Sequence, residues 1–205
     1  MKVSEIFKGI QGEGRYAGEP ALFIRLSGCT RNCSFCDTKY HKDGEEMSME
    51  YIIKQIREAK EKVIVWTGGE PLLQANAMID IIKLTKKKSH HLETNGDLID
   101  SDIRADVLKC TFDYIGISPK DLKTAKKIKD FFKGQLFWVY DIKVVTDLKL
   151  NKNLIKYATC LMPLTINNDN KEREIRKKVW IYCTENNIRY TPRLHYEIWG
   201  SRRGV

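Results

Sequence analysis

Short apolar, β-branched and aromatic runs alternate along this chain with longer segments whose apolar residues recur every three or four positions. The short runs predict strands over residues 21–26, 63–66, 91–94, 114–118, 137–145, 161–165 and 188–194. The longer segments predict helices over 49–60, 72–88, 121–132, 153–158 and 171–186, with weaker periodicity over 100–108. Ser48 is placed to cap the first of these, with Glu50 in its first turn. Asp169 and Glu172 are spaced as a capping box. The glycine-rich stretch 3–18 reads as a hairpin leading into the sheet.

A βαβα alternation calls for a parallel sheet flanked by helices, an α/β fold. A closed eight-stranded barrel occupies ~250 residues. The 205 residues here, with about seven strands, predict a partial, open, TIM-like barrel instead. No linker, low-complexity tract or repeat divides the chain, so one domain over 1–205 is expected. Ligands of such folds bind at the carboxyl ends of the strands. Four polar or glycine-rich segments are predicted on that rim: the cysteines after residue 28, Thr67-Gly68-Gly69-Glu70-Pro71, Asn95-Gly96, and Ser118-Pro119-Lys120.

Composition narrows the classes. Apolar residues form 42% of the chain, enough for a substantial core. No apolar run reaches the ~18 residues of a membrane-spanning helix. The stretch after Met1 lacks a signal-peptide apolar region, so a cytoplasmic protein with no membrane partner is expected. The net charge of +9 permits a polyanionic partner. Its lysines, such as Lys83, Lys86, Lys87 and Lys88, or Lys126, Lys127 and Lys129, lie on predicted helices without interleaved aromatics. They read as solvated faces, and direct nucleic-acid binding is not expected.

Candidate chemistry centres on Cys29-Thr30-Arg31-Asn32-Cys33-Ser34-Phe35-Cys36, a C-x3-C-x2-C spacing. Three thiolates this close can hold three corners of a cubane, and electron-transfer cubanes usually take a fourth cysteine. The next cysteine is Cys110. A [4Fe–4S] cluster here would keep one iron open for a small molecule, for which S-adenosylmethionine is the natural candidate. The same spacing admits a zinc site with His41 as fourth ligand, or reduced structural thiols. Cys110, Cys160 and Cys183 are dispersed and read as core residues.

The remaining motifs each carry two readings. Gly68-Gly69 lets backbone approach an amino-acid head group, or simply makes a tight turn before Pro71. Ser118-Pro119-Lys120 offers a hydroxyl and a cation, or ends a strand. Asn95-Gly96 reads as a turn. Thr38 offers a hard oxygen suited to Mg2+, or a local hydrogen bond. Gln11-Gly12-Glu13-Gly14 can present amide and backbone groups to a flat heterocycle, or turn a hairpin. Arg25, inside an apolar run, needs a partner: a substrate carboxylate or a structural ion pair.

Taken together, the cysteine spacing and Thr67-Gly68-Gly69-Glu70-Pro71 resemble the radical S-adenosylmethionine superfamily. Gln11-Gly12-Glu13-Gly14, Arg25, Gly28-Cys29, Cys36-Asp37-Thr38 and the terminal Trp199-Gly200-Ser201-Arg202-Arg203-Gly204-Val205 resemble, more narrowly, the 7-carboxy-7-deazaguanine synthases. The resemblance implies a homodimeric lyase with a radical SAM partial barrel, acting on 6-carboxy-5,6,7,8-tetrahydropterin with ring contraction and loss of ammonia. It implies that Cys29, Cys33 and Cys36 ligate a [4Fe–4S] cluster. S-adenosylmethionine would chelate the open iron and meet Phe35, Cys36, Asp37, Gly69, Ser118, Pro119 and Lys120. Thr38 would hold Mg2+. Ile10, Gln11, Gly12, Arg25, Thr67 and Val205 would hold the pterin. One electron from a flavodoxin- or ferredoxin-type donor would start cleavage of the cofactor to a 5′-deoxyadenosyl radical. Phe35 stands where many relatives have tryptophan, and residues 41–46 are short and polar. Two rivals remain at this level. One is an activating enzyme for a glycyl-radical protein, whose cleft would take a protein loop. The other is a basic zinc module that binds RNA.

Overall fold

A computed structural model of the chain describes residues 1–33, 36, 43–99, 108, 111–133, 139–166, 169–200 and 202–204. Strand-forming runs pair first with their neighbours in sequence. β1 (Lys2–Ile10) is antiparallel to β2 (Pro20–Leu26) and, at its other edge, to the short β3 (Glu45–Glu46). Thereafter helices and parallel strands follow in the order α1 (Met49–Glu58), β4 (Val63–Gly68), α2 (Ala75–Leu84), β5 (Ser89–Thr94), β6 (Tyr114–Ile117), α3 (Leu122–Phe131), β7 (Tyr140–Thr146), β8 (Cys160–Pro163), α4 (Asp169–Glu185), β9 (Arg189–Tyr190) and a final α5 (Leu194–Trp199), with a 3-10 turn between β7 and β8. The nine strands form one sheet in the order β3-β1-β2-β4-β5-β6-β7-β8-β9. The first and last strands of this order do not pair, so the barrel is open, as the chain length predicts.

The two faces of the sheet divide by residue parity. Leu22, Ile24, Leu26, Ile64, Trp66, Leu92, Ile115 and Ile117 point outward and form the main core with Ile52 and Ile56 of α1, Met78, Ile81 and Ile82 of α2, and Ile128 of α3. A second core joins Val144, Leu161, Ala125, Val179 and Cys183. On the concave face Ala21, Phe23, Val63 and Val65 pack with Phe7, whose ring stacks on Phe23 at 4.9 Å. Further along that face, polar groups replace apolar ones.

Several predicted boundaries shift for local reasons. Ser48 Oγ caps α1 by accepting from the Tyr51 amide at 3.1 Å. Residues 3–18 do not fold on themselves; β1 instead makes its hairpin with β2. The segment predicted as one helix over 72–88 begins as a 3-10 turn, Pro71–Gln74, and residues 153–158 are likewise part of a 3-10 turn, Lys152–Tyr157. Glu172, in the first turn of α4, reaches back across the helix start and accepts from the amide of Ile166 at 2.8 Å. The last strand stops at Tyr190 because Pro192 has no amide hydrogen to continue a ladder, and Leu194 opens α5. The weak helix predicted over 100–108 lies, apart from Leu108, outside the described residues.

The loop after β1 bridges the gap in the barrel. The Gly12 carbonyl accepts from the Leu194 amide at 3.1 Å, and the Gly14 amide donates to Thr191 Oγ1 at 2.6 Å. Arg15 donates its amide to Asp141 Oδ2 at 3.0 Å.

Candidate active site

The four rim segments come together at the carboxyl ends of β2, β4, β5 and β6. The cysteine loop leaves β2, and the Gly-Gly turn packs directly against its start. A Cβ on Gly69 would collide with the Gly28 carbonyl and lie 2.8 Å from the Cys29 Cβ, and one on Gly68, at φ +139°, would collide with backbone of Leu26. The Glu70 amide donates to the Gly28 carbonyl at 2.8 Å. The Glu70 carboxylate is fully buried and accepts from Thr94 Oγ1, the Asn95 amide and the Leu72 amide, at 2.8, 2.8 and 3.0 Å. These bonds tie the turn to the end of β5. Ser118 completes the rim by donating its amide to the Thr94 carbonyl at 2.8 Å.

Arg31, between the first two cysteines, locks the loop from its other side. Its guanidinium grips Asp97 with Nε at 2.6 Å and Nη2 at 2.5 Å, and also pairs with Asp121, the residue that caps α3. Thr30 Oγ1 donates to Asp97 at 2.8 Å and accepts from Asn95 Nδ2 at 2.9 Å. One arginine therefore joins the cysteine loop, the turn after β5 and the helix that follows Ser118-Pro119-Lys120.

The thiols of Cys29, Cys33 and Cys36 are unbridged and half-exposed. A turn links the Cys36 amide to the Cys33 carbonyl at 3.2 Å. Burial pushes the Cys29 thiol up, while the Arg31 amide, 3.4 Å from Sγ, favours its thiolate. Among the described residues no three Cys, His, Asp or Glu side chains are gathered around a common point. The fit to a cluster therefore rests on the donor set: three thiols without a disulfide on one loop, a backbone donor to sulfur, and a glycine turn without side chains beside them. Phe35, Asp37, Thr38, His41, Cys110 and Val205 lie outside the described residues. Cys160 and Cys183 are buried, as core residues should be.

The concave face carries the other candidates. Arg25 and Thr67 are register partners on β2 and β4. Arg25 does have a structural partner: its Nε donates to Glu5 Oε1 at 2.7 Å, and its guanidinium lies over the Phe7 ring. Gln11 is buried and donates from Nε2 to Glu93 Oε1 at 3.0 Å. Gly12 lies so close to His195 that a Cβ there would collide with Nδ1. Ile10, at the end of β1, is 45% exposed and is not drawn into this group.

Three residues that the sequence reading did not single out organise this face. Lys143 on β7 is fully buried and donates to Glu93 Oε2 at 2.5 Å and Glu13 Oε2 at 2.9 Å. Arg193 Nε reaches Glu13 Oε1 at 3.4 Å. Burial opposes charge on Glu13, yet Lys143 and Arg193 hold its carboxyl well below the usual range. Burial, with Glu13 alongside, pushes Glu93 up despite Lys143. Burial likewise opposes charge on Lys143, and the two carboxylates override it. Gly116 on β6 makes room for the arrangement, since a Cβ there would collide with the Glu93 carboxylate. The available signals were charges at every second position of an apolar strand, Asp141 and Lys143, and a glycine inside Tyr114-Ile115-Gly116-Ile117.

Residues 23–175 match the Radical SAM superfamily. Over its whole length the chain is 30% identical to a 7-carboxy-7-deazaguanine synthase of Pyrobaculum aerophilum, covering 97% of that protein. The chain belongs to the 7-carboxy-7-deazaguanine synthase family of radical SAM enzymes. A family member from Hyperthermus butylicus is 28% identical over 95% of this chain and 91% of its own length. The crystal structure of QueE from Escherichia coli superposes with a TM-score of 0.59 over 95% of this chain and 94% of that one, at 19% identity, which supports the same fold. Membership of the superfamily implies a [4Fe–4S] cluster and S-adenosylmethionine, and membership of the family sets aside the zinc and glycyl-radical readings.

Proposed function

We propose that this chain, as one domain over 1–205, converts 6-carboxy-5,6,7,8-tetrahydropterin to 7-carboxy-7-deazaguanine, with ring contraction and loss of ammonia, on the route to queuosine and related 7-deazapurines. The observation that carries the reading is the union, on one concave face under the cysteine rim, of Gln11, Glu13, Glu93 and Lys143 in a single hydrogen-bonded group. A flat heterocycle bearing ring N–H groups needs acceptors held rigidly and out of water, and buried carboxylates fixed by Lys143 supply them. Glu5 orients the Arg25 guanidinium that would pair with the substrate carboxylate. Ile10, Gly12 and Thr67 would complete the pterin site, with Val205 reaching it through the chain terminus.

Cys29, Cys33 and Cys36 would hold the cluster. Gly69, Ser118, Pro119 and Lys120, with Phe35, Cys36 and Asp37, would hold S-adenosylmethionine, the glycine presenting backbone and Lys120 a cation to its amino-acid end. When bound, the reduced cluster and S-adenosylmethionine supply radical chemistry that takes a hydrogen from the pterin ring. The residues of the chain position and exclude water. The Glu70 clamp fixes the rim, Arg31 fixes the cysteine loop, and the loop over Gly12 and Gly14 shuts the barrel gap. Thr38 would bind Mg2+, a reading supported by the family resemblance alone, as are a homodimer and a cytoplasmic location. The electron donor is a flavodoxin- or ferredoxin-type protein.

The direct test is substrate-triggered cofactor cleavage. With reconstituted, reduced enzyme, adding 6-carboxytetrahydropterin should trigger cofactor cleavage that is reversed in each cycle, so that 7-carboxy-7-deazaguanine forms in large excess over the S-adenosylmethionine lost. Cleavage indifferent to the pterin would contradict the substrate assignment.

A further inference from the structure

Toward the amino ends of the strands, a second charged layer lies beneath the group around Lys143. Asp141 stands two residues earlier on β7, on the same concave face, and is fully buried. Its Oδ2 accepts from the Tyr114 hydroxyl at 2.8 Å and from the Arg15 amide at 3.0 Å. Its Oδ1 accepts from Thr159 Oγ1 at 3.2 Å and pairs with Arg189 of β9. A buried ion pair is a costly way to join strands, since apolar side chains would fill the layer without desolvating charge. What this one adds is a fixed point for the loop after β1. β7 grips that loop twice: Lys143 holds the Glu13 carboxylate, and Asp141 holds the backbone two residues further on. The 3-10 turn at that point, Gly14–Tyr16, has no side-chain cap of its own. It is wedged instead, with the Tyr16 ring 4.4 Å from His91 and 5.0 Å from Tyr114. Gly14, at φ +70°, sits so close to the Tyr114 hydroxyl that a Cβ would collide.

We infer that Asp141 is a positioning residue for the substrate site: through the Arg15 amide it fixes the level of the loop that carries Gln11, Gly12 and Glu13. The inference rests on the function proposed above, in which Glu13 offers its carboxylate to the heterocycle. Asp141 acts from beneath, with both of its oxygens taken up by Tyr114, Arg15, Thr159 and Arg189. Its effect passes through Glu13. Lys143 and Arg193 set the charge and direction of that carboxylate, but both act on the side chain. The backbone is pinned between Asp141 and Thr191, whose Oγ1 accepts from the Gly14 amide. A displacement of about 1 Å in a positioned group can cost about 100-fold in rate. An anchor two residues from Glu13 therefore controls whether the carboxylate meets the substrate at hydrogen-bonding distance.

The test is a double-mutant cycle. D141A, E13Q and the pair are compared for turnover by the loaded enzyme, for binding of 6-carboxytetrahydropterin to the cluster-free protein by calorimetry, and for amide hydrogen exchange over residues 11–16. D141A should raise KM for the pterin at least about tenfold, while kcat and the KM for S-adenosylmethionine change by less than about threefold. In an E13Q background the same substitution should change the pterin KM by less than about twofold, because the interaction it works through is already gone. Loop amides should exchange about tenfold faster in D141A. T159V removes a donor to Asp141 that is not on the loop, and should keep the native pterin KM. If D141A does not fold, R15P takes its place in the cycle. It deletes the amide hydrogen that Asp141 accepts, at a φ that a 3-10 turn and proline share. It should reproduce the rise in KM, and R15A, which keeps the amide, should not. An unchanged pterin KM in the variant would overturn the inference, and so would an equal rise with and without Glu13. If the native protein neither bound nor turned over the pterin, the functional reading would fall. Exchange rates would still decide whether Asp141 holds the loop, and unchanged rates in the variant would overturn the inference on their own.

Discussion

Lys143 is the residue on which the substrate face turns. Its ammonium is removed from water and, among the described residues, paired with Glu13 and Glu93. Lys143→Met would leave two buried carboxylates facing each other and should cost about 3–5 kcal/mol of stability, read from denaturant midpoints. Adding Glu93→Gln should recover part of that loss, because the Glu93 charge that Lys143 compensated is gone while Glu13 keeps Arg193. Gly116→Ala tests the same group sterically: it should keep the fold but raise KM for the pterin, since Glu93 must move. Histidines set the pH response. Burial pushes His91, packed between Tyr16 and Tyr114, down to about 4, and lowers His90 as well. Unfolded, each titrates near 6.5. Between those values the unfolded chain binds more protons, so stability must fall as pH drops from about 6.5 toward 4, by about 3 kcal/mol for His91 alone. The raised Glu93 works in the opposite sense, so His91→Asn is the control: it should flatten the pH dependence of the unfolding midpoint. None of these side chains announced its partner in the sequence. Lys143 is 50 residues from Glu93 and 130 from Glu13; strand parity on β5 and β7 brings the first pair together, and the loop after β1 brings Glu13 to them.

At the scale of elements, the cysteine loop is held by segments far from it in sequence. Arg31→Met removes the grip on Asp97 and Asp121 while leaving every thiol in place. Iron and sulfide should still load, but S-adenosylmethionine should bind several-fold more weakly, as read from its perturbation of the reduced-cluster electron paramagnetic resonance spectrum. Equal affinity in the variant would show that the latch is dispensable. The cysteine spacing, the Gly-Gly turn and the rim position of both were legible because each is a local pattern at the end of a predicted strand. Arg31 was not, because its partners are 66 and 90 residues away. The strand predicted over 188–194 shows the opposite failure. Its alternation is real, but Pro192 breaks the ladder, and the short helix Leu194–Trp199 has too few turns to show a period; the glycine at 200, with φ +61°, marked its end.

For the whole molecule, seven predicted strands and a chain too short to close a barrel gave the right architecture, because parallel strands need crossovers and each crossover consumes residues. The loop from Gln11 to Gly14 was less legible. It was read as a substrate segment or a turn, and it also bridges the open barrel through Leu194 and Thr191. That bridge lies beside the proposed pterin site, so closing the barrel and shaping the site are one act of folding. Cys33→Ala should leave this architecture standing, with an unchanged far-ultraviolet spectrum, and abolish iron and sulfide loading; a variant that kept full activity would remove the cluster from the account.

The measurement that bears most directly on the central claim is product analysis under strict anaerobiosis. Enzyme reconstituted with iron and sulfide is given a reductant, Mg2+, S-adenosylmethionine and 6-carboxytetrahydropterin, and the mixture is resolved by mass spectrometry. The account predicts 7-carboxy-7-deazaguanine and ammonia in equal amounts, with many turnovers for each S-adenosylmethionine lost. Steady production of 5′-deoxyadenosine with the pterin recovered intact would contradict it.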